Sequence, residues 1–151
     1  MASVVTSTEQ TAIARLPRVF LDSNILLYCD DSDYPSKQAR AVELVLEHQR
    51  LKTGVVSIQV LQEYFVNATR KLGIDLSLAR QKVEIYTRFH VVEPTAGDIL
   101  AAIDLHRLER LSYWDSMIIY CAKRAGCREV LTEDMQHGQV IDGVRIVNPF
   151  V

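Results

Sequence analysis

The chain has 151 residues, of which 48% are hydrophobic and 24% are charged, and its formal net charge is −2. These values are typical of one globular domain and exclude a fibrous, low-complexity or strongly basic protein. They leave a local nucleic-acid-binding surface open, because a chain with a net charge near zero can still carry a basic groove.

Residues 1–17 are rich in Ser, Thr and Ala and resemble neither a secretory signal nor a membrane span, so we expect a flexible N-terminal tail. One domain is expected over residues 18–151. No apolar run in it is long enough to cross a membrane, which predicts a soluble, cytoplasmic protein. The three cysteines, Cys29, Cys121 and Cys127, show no metal-binding C-x-x-C spacing. We expect them to be buried free thiols, as in a reducing cytosol.

The first predicted strand ends in an acidic residue. Val19 to Leu21 are apolar without alternation, which indicates a strand buried on both faces, and Asp22 follows directly. A short helix is expected from Asn24 to Cys29. The carboxyl ends of parallel strands share one edge of the sheet, and ligands bind at that edge. Asp22 is therefore a candidate site residue.

Four more predicted strands, at residues 53–57, 90–93, 129–132 and 144–147, alternate with helices. The helices are expected to begin at about residues 36, 58, 77, 95 and 113. This alternation predicts an α/β fold in which a five-stranded parallel sheet lies between two helical layers. The apolar period of the helices places several large side chains on their inner faces: Val42, Leu46, Phe65, Leu78 and Trp114.

Four acids occupy equivalent places at strand ends and helix starts: Asp22, Glu63, Asp115 and Asp134. Since these places lie on one side of a parallel sheet, we expect the acids to converge. Any one of them alone has an ordinary explanation as a helix cap or a solvated charge. Asp115 is harder to explain in this way, because Ile118, Ile119 and Ala122 share its side of the helix and predict burial.

Several buried carboxylates repel one another and require a cation, hydrogen bonds or protons. Oxygen ligands suit hard ions such as Mg²⁺ or Mn²⁺. A divalent ion held in this way can activate water and offset charge on a phosphodiester, with one ion or with two. The acids therefore predict a metal site with phosphodiester chemistry.

Four segments resemble the PIN-domain nucleases, and in particular the VapC-like toxins of bacterial toxin–antitoxin pairs. They are Val-Phe-Leu-Asp22-Ser-Asn24, Glu63 in Leu-Gln-Glu-Tyr, Trp-Asp115-Ser-Met-Ile-Ile, and Val-Leu-Thr132-Glu-Asp134-Met-Gln. The resemblance covers residues 18–151 and implies a PIN-like three-layer sandwich. It also implies a Mg²⁺- or Mn²⁺-dependent endoribonuclease that acts on RNA, forms a homodimer and is inhibited by a small antitoxin.

Carried over by position, the resemblance makes Asp22, Glu63, Asp115 and Asp134 the acidic quartet that binds metal and catalyses cleavage. It places Ser23, Asn24 and Thr132 beside them as polar supporting residues. Glu133 competes with its neighbour, because strand-end geometry could present either acid. The Thr-x-Asp pattern of the family favours Asp134.

Other interpretations remain open. A PIN-like module that binds RNA or a protein without cleavage is possible, as is a free-standing PIN nuclease without an antitoxin. A receiver-like phosphoacceptor expects a lysine after the last strand, and residues 147–151 contain none. The acids Asp30, Asp31 and Asp33 are interpreted as solvated loop charges. The basic residues are scattered, so none is assigned an RNA contact.

Overall fold

The computed structural model describes residues 6–8 and 16–151. The predicted flexible tail, residues 1–17, lies outside the described residues except at positions 6–8, 16 and 17. Within the described part of the chain, no helix is long and apolar enough to span a membrane.

The described residues form one sheet of six strands in the spatial order β3-β2-β1-β4-β6-β5. The strands are β1 (Arg18–Leu21), β2 (Gly54–Ser57), β3 (His90–Val92), β4 (Cys127–Leu131), β5 (Val140–Ile141) and β6 (Val144–Val147). The first four and β6 are parallel, and they are the five strands expected from the sequence.

The strand count needs one correction, because β5 is a sixth strand that runs antiparallel to β6. It has only two residues, too few for a hydrophobic period to reveal. Asp142 and Gly143 join the two strands with φ angles of 50° and 84°. These positive values suit a tight hairpin turn between adjacent strands. The sheet is therefore mostly parallel, with one antiparallel edge.

Helices occupy the three connections from β1 to β4, whereas β5 lies in the connection from β4 to β6. Between residues 16 and 151 they are α1 (Ser23–Tyr28), α2 (Pro35–Leu51), α3 (Ile58–Arg70), α4 (Leu76–Tyr86), α5 (Ala96–Glu109) and α6 (Tyr113–Arg124). Contacts link α1 with α2 and α3, and α3 with α4, while α5 packs against α6. The fold is the expected α/β sandwich.

The core is centred on β1, which pairs with β2 on one side and β4 on the other. Phe20 and Leu21 of β1 are fully buried, as are Val55 on β2 and Val130 on β4. Continuous apolar sequence is what a central parallel strand requires, because helices cover both of its faces. Asp22 therefore directly follows the deeply buried part of β1.

The helix faces that the sequence predicted to be buried were wider than those that the structure buries. Five side chains assigned to them are exposed, and Trp114 is 62% exposed: Val42, Leu46, Phe65, Leu78 and Trp114. Each helix presents a stripe to the sheet that is about 100° wide, so apolar residues beside the stripe stay in solvent. Neighbours closer to its centre, such as Ala41 and Leu44 on α2, are buried as expected.

Three N-caps fix where helices begin near the carboxyl edge of the sheet. Ser57 caps α3 by accepting from Val60 N, and Ser112 caps α6 by accepting from Asp115 N. Thr95 and Asp98 form a capping box at the start of α5. Because each cap sets the rotation of its helix, these short polar residues determine which side chains reach the sheet edge.

Gly54 allows a close approach between β2 and the segment after α4, which generates a stability prediction. A Cβ at this position would lie 2.5 Å from two ring atoms of Phe89, which is buried. We expect Gly54→Ala to reduce the free energy of unfolding by about 1–3 kcal/mol, because the ring has to move within a packed core. Urea denaturation measures this difference.

Gly97→Ala is the matched control, because a Cβ there meets nothing closer than Thr95 Oγ1 at 3.7 Å. It lies in the first turn of α5 and should change the free energy of unfolding by no more than about 0.5 kcal/mol. Equal effects of the two substitutions would contradict the packing explanation.

Candidate active site

A cleft of about 370 Å³ opens at the carboxyl ends of β1 and β4. Its walls come from α1, from the end of α3 and from the loop after β4. The lining residues are Ser23, Asn24, Leu27, Tyr28, Asp31, Glu63, Asn67, Lys71, Leu72, Glu133 and Asp134. The cleft lies at the sheet edge where the sequence placed the acids, and it contains more acidic than basic side chains.

Asp22 is the most buried of the four candidate acids, with 4% of its surface exposed. It is the N-cap of α1, and its Oδ1 accepts a hydrogen bond from Ser23 N at 2.7 Å. Its Oδ2 accepts from Thr132 Oγ1 at 2.8 Å and from Asn24 Nδ2 at 3.5 Å. Both oxygens are therefore held in place by neighbouring donors.

Thr132 and Asn24 connect Asp22 to the last acid. Leu21 and Leu131 are partners in the β1–β4 pairing, so the residues that follow them meet. Asn24 Nδ2 donates to Thr132 Oγ1 and to Asp134 Oδ2, both at 3.0 Å. Thr132 Oγ1 also accepts from Asp134 N at 3.1 Å. One hydroxyl and one amide thus join two carboxylates from distant parts of the chain.

Glu63 reaches the same edge from the second turn of α3. Its Oε2 accepts from Ser23 Oγ at 2.8 Å, and its Oε1 accepts from Gln59 Nε2 at 2.8 Å. Gln59 lies four residues earlier, on the same face of the helix. Ser23 therefore supports two acids, because its backbone amide holds Asp22 and its hydroxyl holds Glu63.

Glu133 makes contacts of a different kind. Its carboxylate pairs with Lys37 Nζ at 2.8 Å and accepts from the Tyr28 hydroxyl. The Lys37 ammonium also lies over the rings of Tyr28, Tyr34 and Phe150, at 4.8–5.6 Å from their centroids. Since the charge of Glu133 is balanced, the contacts favour Asp134 as the acid that acts with Asp22.

Asp115 is less buried than the sequence indicated. It lies in the first turn of α6 and is half-buried, whereas Ile118 and Ile119 are 3% and 0% exposed. The helix emerges from the core toward the sheet edge one turn before those residues, and this geometry explains the difference. Partial burial raises the pKa of Asp115, and the charges of Asp134 and Glu63 raise it further. Asp115 is thus electrostatically coupled to the other acids.

A profile of the PIN domain family matches residues 19–141. The chain belongs to the PIN domain family. The match covers every acid discussed above and confirms the resemblance seen in the four sequence segments. Comparison with curated protein sequences gives no match.

Two solved structures share the fold of this PIN domain. One is described as a toxin–antitoxin complex from Klebsiella pneumoniae, with a TM-score of 0.62 and 20% identity over 87% of this chain and 97% of the other. The second is the Sarcin-Ricin loop cleaving toxin VapC20 from Mycobacterium tuberculosis. Its TM-score is 0.63, with 18% identity over 77% of this chain and 91% of the other. These likenesses place the fold among such toxins.

Burial is the main influence on the Asp22 carboxyl of this PIN domain. It raises the pKa of Asp22 to about 7, although the bonds from Thr132 and Ser23 oppose it. The negative charges of Glu63 and Asp134 contribute in the same upward direction. An acid with such a pKa holds a proton through much of the acidic range and releases it near neutral pH.

The donor set of this PIN domain suits a hard divalent cation. All four candidate ligands are carboxylates, and they repel one another without a histidine or cysteine among them. Within residues 6–8 and 16–151, however, no three acidic, histidine or cysteine side chains are grouped closely enough to hold an ion as they stand. The oxygens of Asp22, Glu63 and Asp134 instead accept bonds from Ser23, Asn24 and Thr132. The oxygen donors of these residues therefore suit a hard divalent cation.

Sequence reasoning missed part of the site. Asp30, interpreted as a solvated loop charge, has only 7% of its side chain exposed, pairs with Lys82 and accepts from Tyr64 OH. The position of Tyr64, one residue after Glu63 on an apolar stretch of helix, was the available signal, because a buried hydroxyl requires a partner. Asn67 and Lys71 also line the cleft. They lie four and eight residues after Glu63, a helical spacing that the sequence already contained.

The raised pKa of Asp22 generates a pH prediction for the metal-free protein. Between its ordinary value of 3.8 and about 7, the unfolded chain is ionised at Asp22 while the folded chain keeps the proton. Folding stability from this group is therefore lost as the pH rises through that window. We expect Asp22→Asn to stabilise the protein at pH 8 by about 2–4 kcal/mol, with little or no gain at pH 4. Urea denaturation in EDTA at both pH values measures the difference.

Asp104→Asn is the control, because Asp104 is an exposed residue on α5. Its effect should be small and the same at both pH values. A stability difference for Asp22→Asn that does not change between pH 4 and pH 8 would contradict the assignment of a raised pKa to this carboxyl.

Proposed function

We propose that this PIN domain is a metal-dependent endoribonuclease and the toxin of a toxin–antitoxin pair. The observation that carries the proposal is the linked arrangement at one sheet edge. Asn24 and Thr132 join Asp22 to Asp134, Ser23 joins Glu63 to the same network, and Asp115 is coupled through its charge. Such a set of carboxylates suits hydrolysis of a phosphodiester bond in RNA.

Four residues would hold Mg²⁺ or Mn²⁺: Asp22, Glu63, Asp115 and Asp134. A bound divalent ion would supply an activated water and offset the charge that develops on the phosphodiester. Asp22 has to be ionised to act as a ligand, so cation affinity should fall as the pH falls below 7. Ser23, Asn24 and Thr132 orient the carboxylates, because their donors contact acid oxygens at 2.7–3.0 Å.

Asp134, not Glu133, is the fourth acid in this proposal. Glu133 is neutralised by Lys37, and separating that ion pair would leave the ammonium against three aromatic rings without its partner. Asp134 is exposed and shares Asn24 with Asp22. In the part of the chain that the structure describes, no lysine or arginine pairs with Asp134, so its negative charge is available to a cation.

The toxin assignment is supported by the two structural relatives, one in a toxin–antitoxin complex and one a Sarcin-Ricin loop cleaving toxin. From these we infer an RNA substrate and a small antitoxin partner. The free cysteines Cys29, Cys121 and Cys127 suit a reducing compartment, so we place the activity in the cytoplasm.

We also propose a homodimer, with α5 at its interface. The outer side of this helix exposes Ile99, Leu100 and Ile103, of which Leu100 is 65% exposed. Its inner side buries Ala102 and Leu105, so the helix carries apolar side chains on its outer side as well as on the side that faces the core. An apolar outer face of this kind is unusual on a monomer. A second copy is its proposed occupant, since a two-fold contact buries the same patch on both chains.

RNA cleavage is the experiment that tests the nuclease proposal. We expect the purified protein to cleave single-stranded RNA when Mg²⁺ or Mn²⁺ is added and to stop in EDTA. Asp22→Asn, Glu63→Gln, Asp115→Asn and Asp134→Asn should each reduce the cleavage rate on the order of 100-fold or more, because each removes a charged oxygen ligand. Glu133→Gln should keep most of the activity and is the matched control.

Three outcomes would contradict this mechanism or part of it. Equal cleavage in metal-free buffer would exclude a metal-dependent site. RNA retention without cleavage under any divalent ion would favour a binding module that has lost turnover. Loss of activity in Glu133→Gln with normal activity in Asp134→Asn would reverse the assignment of the fourth acid.

Growth and capture assays test the toxin proposal. Expression of the chain alone should arrest growth, and Asp22→Asn should relieve the arrest. Co-expression of the adjacent small reading frame should relieve the growth arrest that the wild-type chain causes. The product of that reading frame should co-purify with the wild-type chain and with Asp22→Asn, because an inhibitor docks on the folded surface. Light scattering of the same preparations reports whether the chain is dimeric. RNA cleavage without capture of any such product by either form would leave a free-standing PIN nuclease.

A further inference from the structure

The candidate active cleft has an unequal distribution of charge. Four acidic side chains line it: Asp31, Glu63, Glu133 and Asp134. Among the lining residues, all within residues 16–151, Lys71 is the one cation. A phosphodiester chain that enters the cleft is repelled by the lining acids other than Glu133, whose charge is balanced by Lys37. Lys71 is the place where a wall attracts a phosphate.

Lys71 is placed by the same helix that carries Glu63. Glu63, Asn67 and Lys71 are spaced by four residues, so they follow one face of α3 toward its carboxyl end. Asn67 Nδ2 donates to Glu63 O at 2.9 Å, and Lys71 N donates to Asn67 O at 2.9 Å. Lys71 is the C-cap and keeps right-handed helical backbone angles. A rise of about 12 Å therefore separates it from Glu63 along the helix.

The Lys71 ammonium group differs in its contacts from that of Lys37, the other lysine near the cleft. Lys37 is occupied by Glu133, by the Tyr28 hydroxyl and by three aromatic rings. In the described residues the side chain of Lys71 has no ion pair or hydrogen bond, and the residue is exposed. Its charge is thus available to a ligand, whereas that of Lys37 is used within the protein.

A structural explanation also exists for a lysine at the end of a helix, since it complements the negative end of the dipole. Arg70 is the basic residue in the last turn of α3 and already serves this role. Arg70 does not line the cleft. The two adjacent residues therefore carry the same charge at the same helix end, and only Lys71 faces the acids.

We propose that Lys71 is a substrate-positioning residue that binds an RNA phosphate flanking the one that is cleaved. This inference rests on the proposed nuclease function. The distance along α3 keeps the ammonium away from Glu63, so it is not neutralised there. The neutral Lys37–Glu133 pair on the other wall provides no matching attraction. The RNA strand would then extend from the acids along the carboxyl end of α3, past Asn67.

The test uses the whole chain with a fluorescein-labelled single-stranded RNA. In Mg²⁺, Lys71→Ala should raise the KM for RNA cleavage about threefold to fivefold with kcat unchanged. In the Asp22→Asn background, fluorescence anisotropy at several salt concentrations should show the same loss of affinity. The slope of log affinity against log salt should fall by about 0.7, the value for one phosphate contact on a single strand. Lys71→Arg should restore both values.

Two charge-matched controls define the outcome. Arg70→Ala removes a neighbouring charge outside the cleft, and Arg88→Ala removes one from a separate cleft that contains His48 and Lys52. Both should leave KM and the salt slope near the wild-type values. Equal KM and slope changes in Lys71→Ala and Arg70→Ala would overturn the inference, since they would reflect only the general charge of the protein. A lower melting temperature in Lys71→Ala with unchanged KM and slope would also overturn it.

The same experiments distinguish failure of the Lys71 inference from failure of the nuclease proposal. If the wild-type protein binds RNA in a Lys71-dependent way and does not cleave it with Mg²⁺ or Mn²⁺, the inference stands for a binding module. If the protein cleaves RNA and Lys71→Ala behaves like wild type, the inference alone is wrong. If the wild-type protein neither binds nor cleaves RNA, both are wrong.

Discussion

The bond between the Thr132 hydroxyl and the buried Asp22 carboxylate connects the fold to the site. A buried carboxylate without donors costs several kcal/mol, and bonds from Thr132, Ser23 and Asn24 offset part of this cost at Asp22. The Thr132 hydroxyl reaches Asp22 because β1 and β4 are adjacent and parallel, so their carboxyl ends coincide. Strand order therefore determines which side chains stabilise the acid, and the apolar run at residues 19–21 of β1 suits its central place in that order.

Features encoded by neighbouring residues were predictable from the sequence. The apolar run of β1, the cap at Ser57 and the Thr95–Asp98 capping box depend on residues within a few positions of one another. The strand-end positions of Asp22 and Asp134 followed from the same local reasoning. Their joint location at one edge of the sheet required only the general geometry of a parallel sheet.

Features that depend on distant side chains could not be read from the sequence. The Lys37–Glu133 pair joins residues 96 positions apart, and the Lys82–Asp30 pair joins residues 52 apart. Neither has a spacing that a helix or strand would impose. The exposure of Trp114 and the half-burial of Asp115 likewise depend on where α6 leaves the core. The two-residue strand β5 was too short for any period to be detected.

The order of synthesis gives the Asp22–Thr132 contact a further consequence. The two residues are 110 positions apart, and Asp22 is made first. A growing chain can form β1 and β2 early, but β1 has no partner on its other side until β4 has been made. Contacts of such long range are slow to form in folding. The acids at the sheet edge therefore come together late, so an unfinished chain carries Asp22 and Glu63 without the residues that would complete the proposed site.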